Sequence, residues 1–353
     1  MSTAFVLGAG ASRDAGYPFA KDIGRGLLSW MEQAQPEGLC DFSGSASFLR
    51  EAFADAEDIE SLLEQMEQLT TPSNATSPEE RMLTARIANV DRPTLIHGLR
   101  RWFEHIDRAS PNSSYRHFAE KVIQPNDTVI TFNYDVSLEK ELKRVGLWEV
   151  GDGYGFEIES LPASSRVALL KLHGSINWRA LLFGGRRGGF AVNDVDRSLG
   201  CRPVLFDYDL KTLGYDHAVD SRLPRDRDVA AIGSMILAVH EKQFFFRTSF
   251  GDEWASFWDS LWRKAAAALR SSDRIILCGY SLLPVDERAC KMLLEDKELT
   301  VPFEVCCGND SEAIVDRLRT FGRDACVSDH SFFADWVTAT AHRLKGTSTP
   351  NRS

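Results

Sequence analysis

The residues best suited to chemistry in this chain stand where apolar runs stop. Thr3-Ala4-Phe5-Val6-Leu7 reads as a short strand running into Gly8-Ala9-Gly10-Ala11-Ser12, with Gly16 further on and a helix expected after it. Glycine at Gly8 and Gly10 leaves no side chain between main chain and ligand. The amides of a following helix start favour an anion. The spacing departs from G-x-G-x-x-G, because Arg13 stands where a third glycine would be. Taken alone, the stretch fits either a phosphate cradle or a tight strand-to-helix turn that holds no ligand.

Four more buried-type runs end in small or polar residues. Thr128–Phe132 ends at Asn133-Tyr134-Asp135, and Val167–Leu172 ends at His173-Gly174-Ser175. Arg274–Cys278 ends at Gly279-Tyr280-Ser281, and Val301–Cys306 ends at Cys307-Gly308-Asn309-Asp310. In an open parallel sheet, ligands bind beyond the carboxyl ends of the strands. Strand ends of this kind are expected to converge on one crevice. Each residue also has a plainer reading. Asn133 or Asp135 would serve as helix N-cap for Val136–Val145. His173 would serve as a hydrogen-bonded core histidine, and Ser281 as a turn cap.

The elements that position these strand ends follow from periodicity. Ile23, Leu27, Leu28 and Met31 fall at helical spacing, and so do the apolar residues of 48–69, 79–90 and 94–106. Residues 19–119 are therefore expected to form a helical insertion without strands. Residues 181–267 form a second insertion. Within it, 184–189 read as a basic loop or hairpin, 220–228 as a charged loop, and 229–239 as either helix or strand. Trp254, Phe257, Trp258, Leu261, Trp262 and Ala265 form a core-facing helical stripe. Residues 325–327 suit a last strand and 332–344 a closing helix. The expected fold is α/β: a Rossmann-like parallel sheet built from 1–18, 120–180 and 268–345 as one unit of 1–345, with a disordered tail at 346–353.

Composition narrows the function. A formal net charge of -10 over 353 residues argues against an electrostatic grip on nucleic acid. No apolar run is long enough to span a membrane, and no leader is evident, so a cytoplasmic protein is expected. The seven cysteines are scattered without a C-x-x-C pair, so neither a zinc ribbon nor a disulfide framework is indicated.

Taken in order, these motifs resemble the sirtuin-like family of NAD-dependent proteins. The likeness rests on Gly8-Ala9-Gly10-Ala11-Ser12 with Gly16, Phe132-Asn133-Tyr134-Asp135, Leu172-His173-Gly174-Ser175 and Gly279-Tyr280-Ser281-Leu282-Leu283-Pro284-Val285-Asp286. The Gly-Tyr-Ser-Leu form is similar to a bacterial branch linked to antiphage defence, whose members hydrolyse NAD. Two departures agree with that branch. Tyr17-Pro18-Phe19-Ala20 replaces the Pro-Asp-Phe-Arg of deacylases, and the paired cysteines of their structural zinc are missing, since residues 174–278 hold only Cys201 and Cys278.

The resemblance implies an NAD glycohydrolase with NAD as substrate and no metal. Asn133 would orient the ribose or a water, His173 would take a proton, and Asp135 would hold the ribose or the nicotinamide amide. Gly8, Ala9, Gly10 and Ser12 would cradle the diphosphate, and Gly279, Ser281 and Asn309 would contact the adenosine half. It also implies a toxic NAD-depleting effector, a homo-oligomer, and a partner chain such as a hexameric helicase-like ATPase or an Argonaute-type protein. The rivals are an ADP-ribosyltransferase or deacylase that uses NAD with an acceptor, and a module that senses NAD or ADP-ribose without turnover.

Overall fold

The computed structural model describes residues 2–346 apart from 38–39, 57, 71–76, 110–112, 157–165, 183–203, 210–213, 219–230, 237–251, 285 and 331. The chain divides into two compact units, one of Met1–Tyr17, Ser110–Gly174 and Trp258–Ser353, the other of Pro18–Ala109 and Ser175–Phe257.

The first unit is an α/β Rossmann-like fold. Its strands are β1 (Thr3–Leu7), β2 (Thr128–Thr131) and β3 (Ala168–Lys171), then three more from the C-terminal third. In the second unit the sheet strands are β4 (Gly174–Leu182), β5 (Val204–Asp209), β6 (Gly214–Ala218) and β7 (Ala231–Ile236), in the order β6-β5-β4-β7. The first sheet is completed by β8 (Arg274–Cys278), β9 (Phe303–Cys306) and β10 (Ala325–Val327). Its order is β10-β9-β8-β1-β2-β3 and every neighbouring pair is parallel. The chain moves outward from β1 through β2 to β3, then returns to β8 on the other flank of β1. The connections after β1 and β8 therefore leave in opposite directions. In open parallel sheets such a reversal is where ligands bind, beyond the carboxyl ends of the two central strands.

The middle of the sheet is buried because its central strands are apolar on both sides, as covered parallel strands are. β1 is buried at all five residues. The Phe5 ring meets Phe118 edge-on with centroids 4.9 Å apart, and Trp336 at 6.2 Å. Within the expected tryptophan-rich stripe, Trp258, Leu261, Trp262 and Ala265 are buried.

Helices of the second unit are α1 (Ala20–Gln33), α2 (Phe42–Ala52), α3 (Ile59–Thr70), α4 (Pro78–Arg86) and α5 (Arg92–Ala109). The helix start at Pro78 is set by a reciprocal cap, in which Ser77 Oγ accepts from Glu80 N and Glu80 Oε2 accepts from Ser77 N. A π turn at Ile87–Asp91 joins α4 to α5. There the buried Asp91 accepts from Ser45 Oγ at 2.8 Å and Arg86 Nε at 3.0 Å. The remaining helices among the described residues are α6 (Ser113–His117), α7 (Ser137–Arg144), α8 (Asp252–Ser271), α9 (Glu287–Cys290), α10 (Ser311–Thr320) and α11 (Phe333–Gly346). The stretch 229–239, open between helix and strand in the sequence, contains strand β7. The expected loops at 184–189 and 220–228 lie outside the described residues, as does the expected tail beyond Gly346. Among the described residues, no helix is long and apolar enough to cross a membrane.

Candidate active site

The turn after β1 and the turn after β8 interlock at the reversal point. Gly8 N donates to Cys278 O at 3.0 Å, and Gly10 N to Gly279 O at 2.9 Å. A Cβ on Gly8 would lie 2.6 Å from Gly279 O, and a Cβ on Gly279 would lie 2.3 Å from Ala11 N. Gly279 also has a φ of 61°, which side chains rarely adopt. The glycines are thus required by the packing of one turn on the other. That packing uses part of the expected cradle. The amides of Gly8, Gly10 and Ala11 are hydrogen-bonded within the protein. The Ala9 amide has no backbone acceptor among the described residues.

Ser12 sits in the short 3-10 helix Ala9–Ala15, and its hydroxyl is turned inward rather than toward solvent. It donates to Asp135 Oδ2 at 2.7 Å and lies 2.9 Å from Tyr115 OH. Asn133, at the end of β2, donates through Nδ2 to Gly8 O at 2.9 Å and to Ser12 Oγ at 3.0 Å, with Tyr115 OH at 3.4 Å. A main-chain carbonyl only accepts, so the amide nitrogen must face Gly8 and Oδ1 is the acceptor left over. Asn133 is buried and its side chain does not cap α7.

The N-cap of α7 is Val136, so Asp135 stands one residue ahead of the cap position. Its Oδ1 accepts from Ser137 N at 3.0 Å, and its Oδ2 takes the Ser12 hydroxyl. Its main-chain oxygen accepts from Lys171 Nζ. Lys171 is fully buried on β3 and pairs with Glu139 Oε1 at 2.8 Å. Burial pushes the Glu139 carboxyl up from its ordinary value, against the pull of Lys171. Burial, with the charge of Asp135, pushes the Tyr115 phenol well above 10.

His173 follows β3 and is buried. Its ring meets Phe132 edge-on, with centroids 4.9 Å apart and planes at 71°. Phe132 in turn stacks on Tyr280, 4.1 Å away at 9°. His173 Nε2 lies 3.2 Å from Asp286 Oδ2, an ion pair when the imidazole is protonated. Ser281 and Asn309 stand exposed after β8 and β9, with no side-chain hydrogen bond among the described residues.

The structure thus gathers Gly8, Ser12, Asn133 and Asp135 into one hydrogen-bonded group at the reversal point, with Ala9 and Gly10 in the same turn and Gly279 against it. His173 belongs to a second group with Phe132, Tyr280 and Asp286. Sequence reading passed over four participants. Tyr115 fell inside the expected helical insertion and carried no signal. Lys171 did carry one, as a lone charge inside Leu169-Leu170-Lys171-Leu172. Tyr280 and Asp286 belonged to a quoted motif without a role assigned to either.

The site offers a fixed amide, a histidine beside a carboxylate, and backbone suited to close approach. Those groups can orient a hydroxyl or a water and accept its proton. Among the described residues, no group of three or more His, Cys, Asp or Glu side chains is placed to hold a metal ion.

No protein-family model matches the chain, and no curated protein matches it. Among solved structures it is similar to a Sir2 homolog–NAD complex at 11% identity and TM-score 0.44, covering 98% of this chain and 90% of that one. It is also similar to a mutant Sir2 homologue in complex with ADP-ribose, at 13% identity and TM-score 0.42, covering 99% of this chain and 95% of that one.

Proposed function

We propose that this chain is an NAD glycohydrolase, which splits NAD with water into nicotinamide and ADP-ribose. The observation that carries the reading is Asn133 bonded to the Gly8 turn at the reversal point of a Rossmann-ordered sheet, on the strand next to the one that ends at His173. Cleavage of a glycosidic bond passes through an oxocarbenium-like state. It calls for a ribose held in one pose and a water presented to it.

In this reading Asn133 Oδ1 accepts from a ribose hydroxyl or from the water. His173 takes the proton. The Ala9 amide and the Gly8–Gly10 turn approach the diphosphate. Asp135 and Ser12 hold Asn133 and the turn in register. Gly279, Ser281 and Asn309 lie along the adenosine half. On the motif resemblance, the activity belongs to an NAD-depleting antiphage effector. A trigger, self-assembly or a partner chain, such as a hexameric helicase-like ATPase or an Argonaute-type protein, releases it.

Purified full-length protein incubated with NAD tests the proposal, with nicotinamide and ADP-ribose followed by chromatography. Asn133→Ala and His173→Ala are expected to slow release by about a hundredfold or more. Unchanged NAD consumption in both variants overturns the assignment. NAD loss only when an acceptor is supplied identifies a transferase or deacylase. A rise in melting temperature with NAD and no nicotinamide identifies a sensing module.

A further inference from the structure

Asp286 lies in the loop after β8, far in sequence from His173 but beside it in the fold. Its Oδ2 is 3.2 Å from His173 Nε2, and the same oxygen accepts the Tyr280 hydroxyl at 2.7 Å. Tyr280 is held by its stack on Phe132, whose edge meets the His173 ring. The carboxylate and the imidazole are therefore located by a common aromatic packing.

The loop carrying Asp286 is fixed at several points. Leu282 has a φ of 50°, an outlier for a branched side chain, while that side chain is fully buried. The Leu282 carbonyl accepts from Arg317 on α10, and the Leu283 carbonyl from Cys290 Sγ at 3.3 Å. Asp286 N donates to Leu283 O at 3.1 Å, and Asp286 O accepts from Cys290 N at 2.9 Å. Backbone strain retained by surrounding bonds is a mark of a site that needs the shape.

We propose that Asp286 is the positioning residue for His173. Its carboxylate holds the imidazole in one orientation and stabilises the imidazolium formed when His173 accepts a proton. The inference rests on the reading of His173 as proton acceptor. In that step the O–H bond of the water breaks, its proton passes to the imidazole, and its electron pair stays on oxygen for attack at the anomeric carbon. The glycosidic pair leaves with the pyridinium nitrogen, which becomes neutral nicotinamide. Asp286 stays ionised throughout, as a carboxylate that orients a histidine does.

Other titratable groups on the neighbouring strand ends include Tyr280 on the same loop, Cys307 after β9 against the Tyr280 carbonyl, Tyr134 and Asp135 after β2, and Lys171 on β3. Lys171 is committed to Glu139, and Asp135 to Ser12 and Ser137. The Asp286 carboxylate is thus the charge placed to act on His173.

The test is an NMR titration of the His173 imidazole in the full chain, assigned with His173→Gln, for wild type and Asp286→Asn. An opposite charge this close raises an imidazole by about 1–3 units. Asp286→Asn is expected to lower the His173 midpoint by one unit or more, and Asp286→Glu to restore part of it. In turnover, Asp286→Asn is expected to lower kcat by about ten- to a hundredfold with little change in KM. The acid limb of its kcat profile moves to lower pH by the same shift. An unchanged His173 midpoint in a folded Asp286→Asn protein overturns the inference, whatever the activity. A shifted midpoint in a wild type that consumes no NAD even with candidate partner chains supplied upholds the pairing and overturns the glycohydrolase reading instead.

Discussion

Asn133 Nδ2 donates to the main-chain oxygen of Gly8 at 2.9 Å, tying the end of β2 to the turn after β1 across 125 positions of sequence. The bond fixes which end of the amide faces the turn. Asn133→Asp keeps the side-chain size and removes the donor, so a carboxylate oxygen meets a carbonyl oxygen. Leaving buried polar groups unmatched costs about 1–3 kcal/mol. Asn133→Asp is expected to lose NAD turnover as fully as Asn133→Ala and to melt several degrees below wild type. An Asn133→Asp protein with wild-type turnover would show that the amide donor is dispensable.

The interlock of the two central turns predicts a contrast between glycines. Gly322 has a φ of 75° with nothing within 4 Å of a built Cβ, whereas Gly279 has a φ of 61° and backbone at 2.3 Å. Alanine at either position meets the left-handed penalty of about 1–2 kcal/mol. Only Gly279→Ala also meets main chain, for about 1–3 kcal/mol more. Gly279→Ala is expected to show the larger drop in denaturation midpoint, and it alone to abolish NAD turnover. Equal losses in both variants would show that the turns do not depend on close approach.

The fold was readable where a strand is buried on both faces. Runs such as Thr128–Phe132 and Arg274–Cys278 announce themselves by composition, and the rule that ligands meet strand ends then selects Asn133, His173 and Gly279. The partners were not readable. Tyr115 reaches Ser12 from 103 positions away, and Asp286 reaches His173 from a loop whose path depends on Leu282. Side-chain pairing across such separations is decided by strand order, which periodicity does not contain. The glycines were read for what they leave open to a ligand, and the structure adds the turn they leave open to each other.

The buried Lys171–Glu139 pair makes a prediction with a definite pH sign. Removing one partner of a buried ion pair costs about 3–5 kcal/mol, so Lys171→Met is expected to be severely destabilised. Lys171→Met with Glu139→Leu recovers part of the loss, short of wild type because the Asp135 carbonyl also loses its donor. Burial already raises Glu139 above its unfolded value, and loss of Lys171 raises it further. A raised carboxyl contributes most below the unfolded pKa and loses that contribution as pH rises through the folded one. The Lys171→Met penalty is therefore expected to be smaller near pH 5 than near pH 8, measured by denaturant titration at both. A penalty independent of pH would show that Glu139 does not take up a proton when its partner is removed.

The thiol of Cys307 makes the last test. Its Sγ lies 3.5 Å from both the Leu277 and the Tyr280 carbonyls, and burial raises its pKa to about 12. Only the thiolate attacks an alkylating reagent, and at pH 8 a thiol of that pKa supplies almost none. The raised value means the native state holds this proton more tightly than the unfolded chain does. The resulting contribution to stability is full below the ordinary thiol range and is lost only as pH rises through about 12. Iodoacetamide at pH 8 is expected to label the exposed Cys326 while Cys307 remains unmodified in the native protein, and to label both after unfolding. Peptide mass spectrometry over a time course reads the difference. Labelling of native Cys307 at the rate of Cys326 would mean that the loop after β8 opens readily, and the fixed placement of Tyr280 and Asp286 against His173 would fall with it.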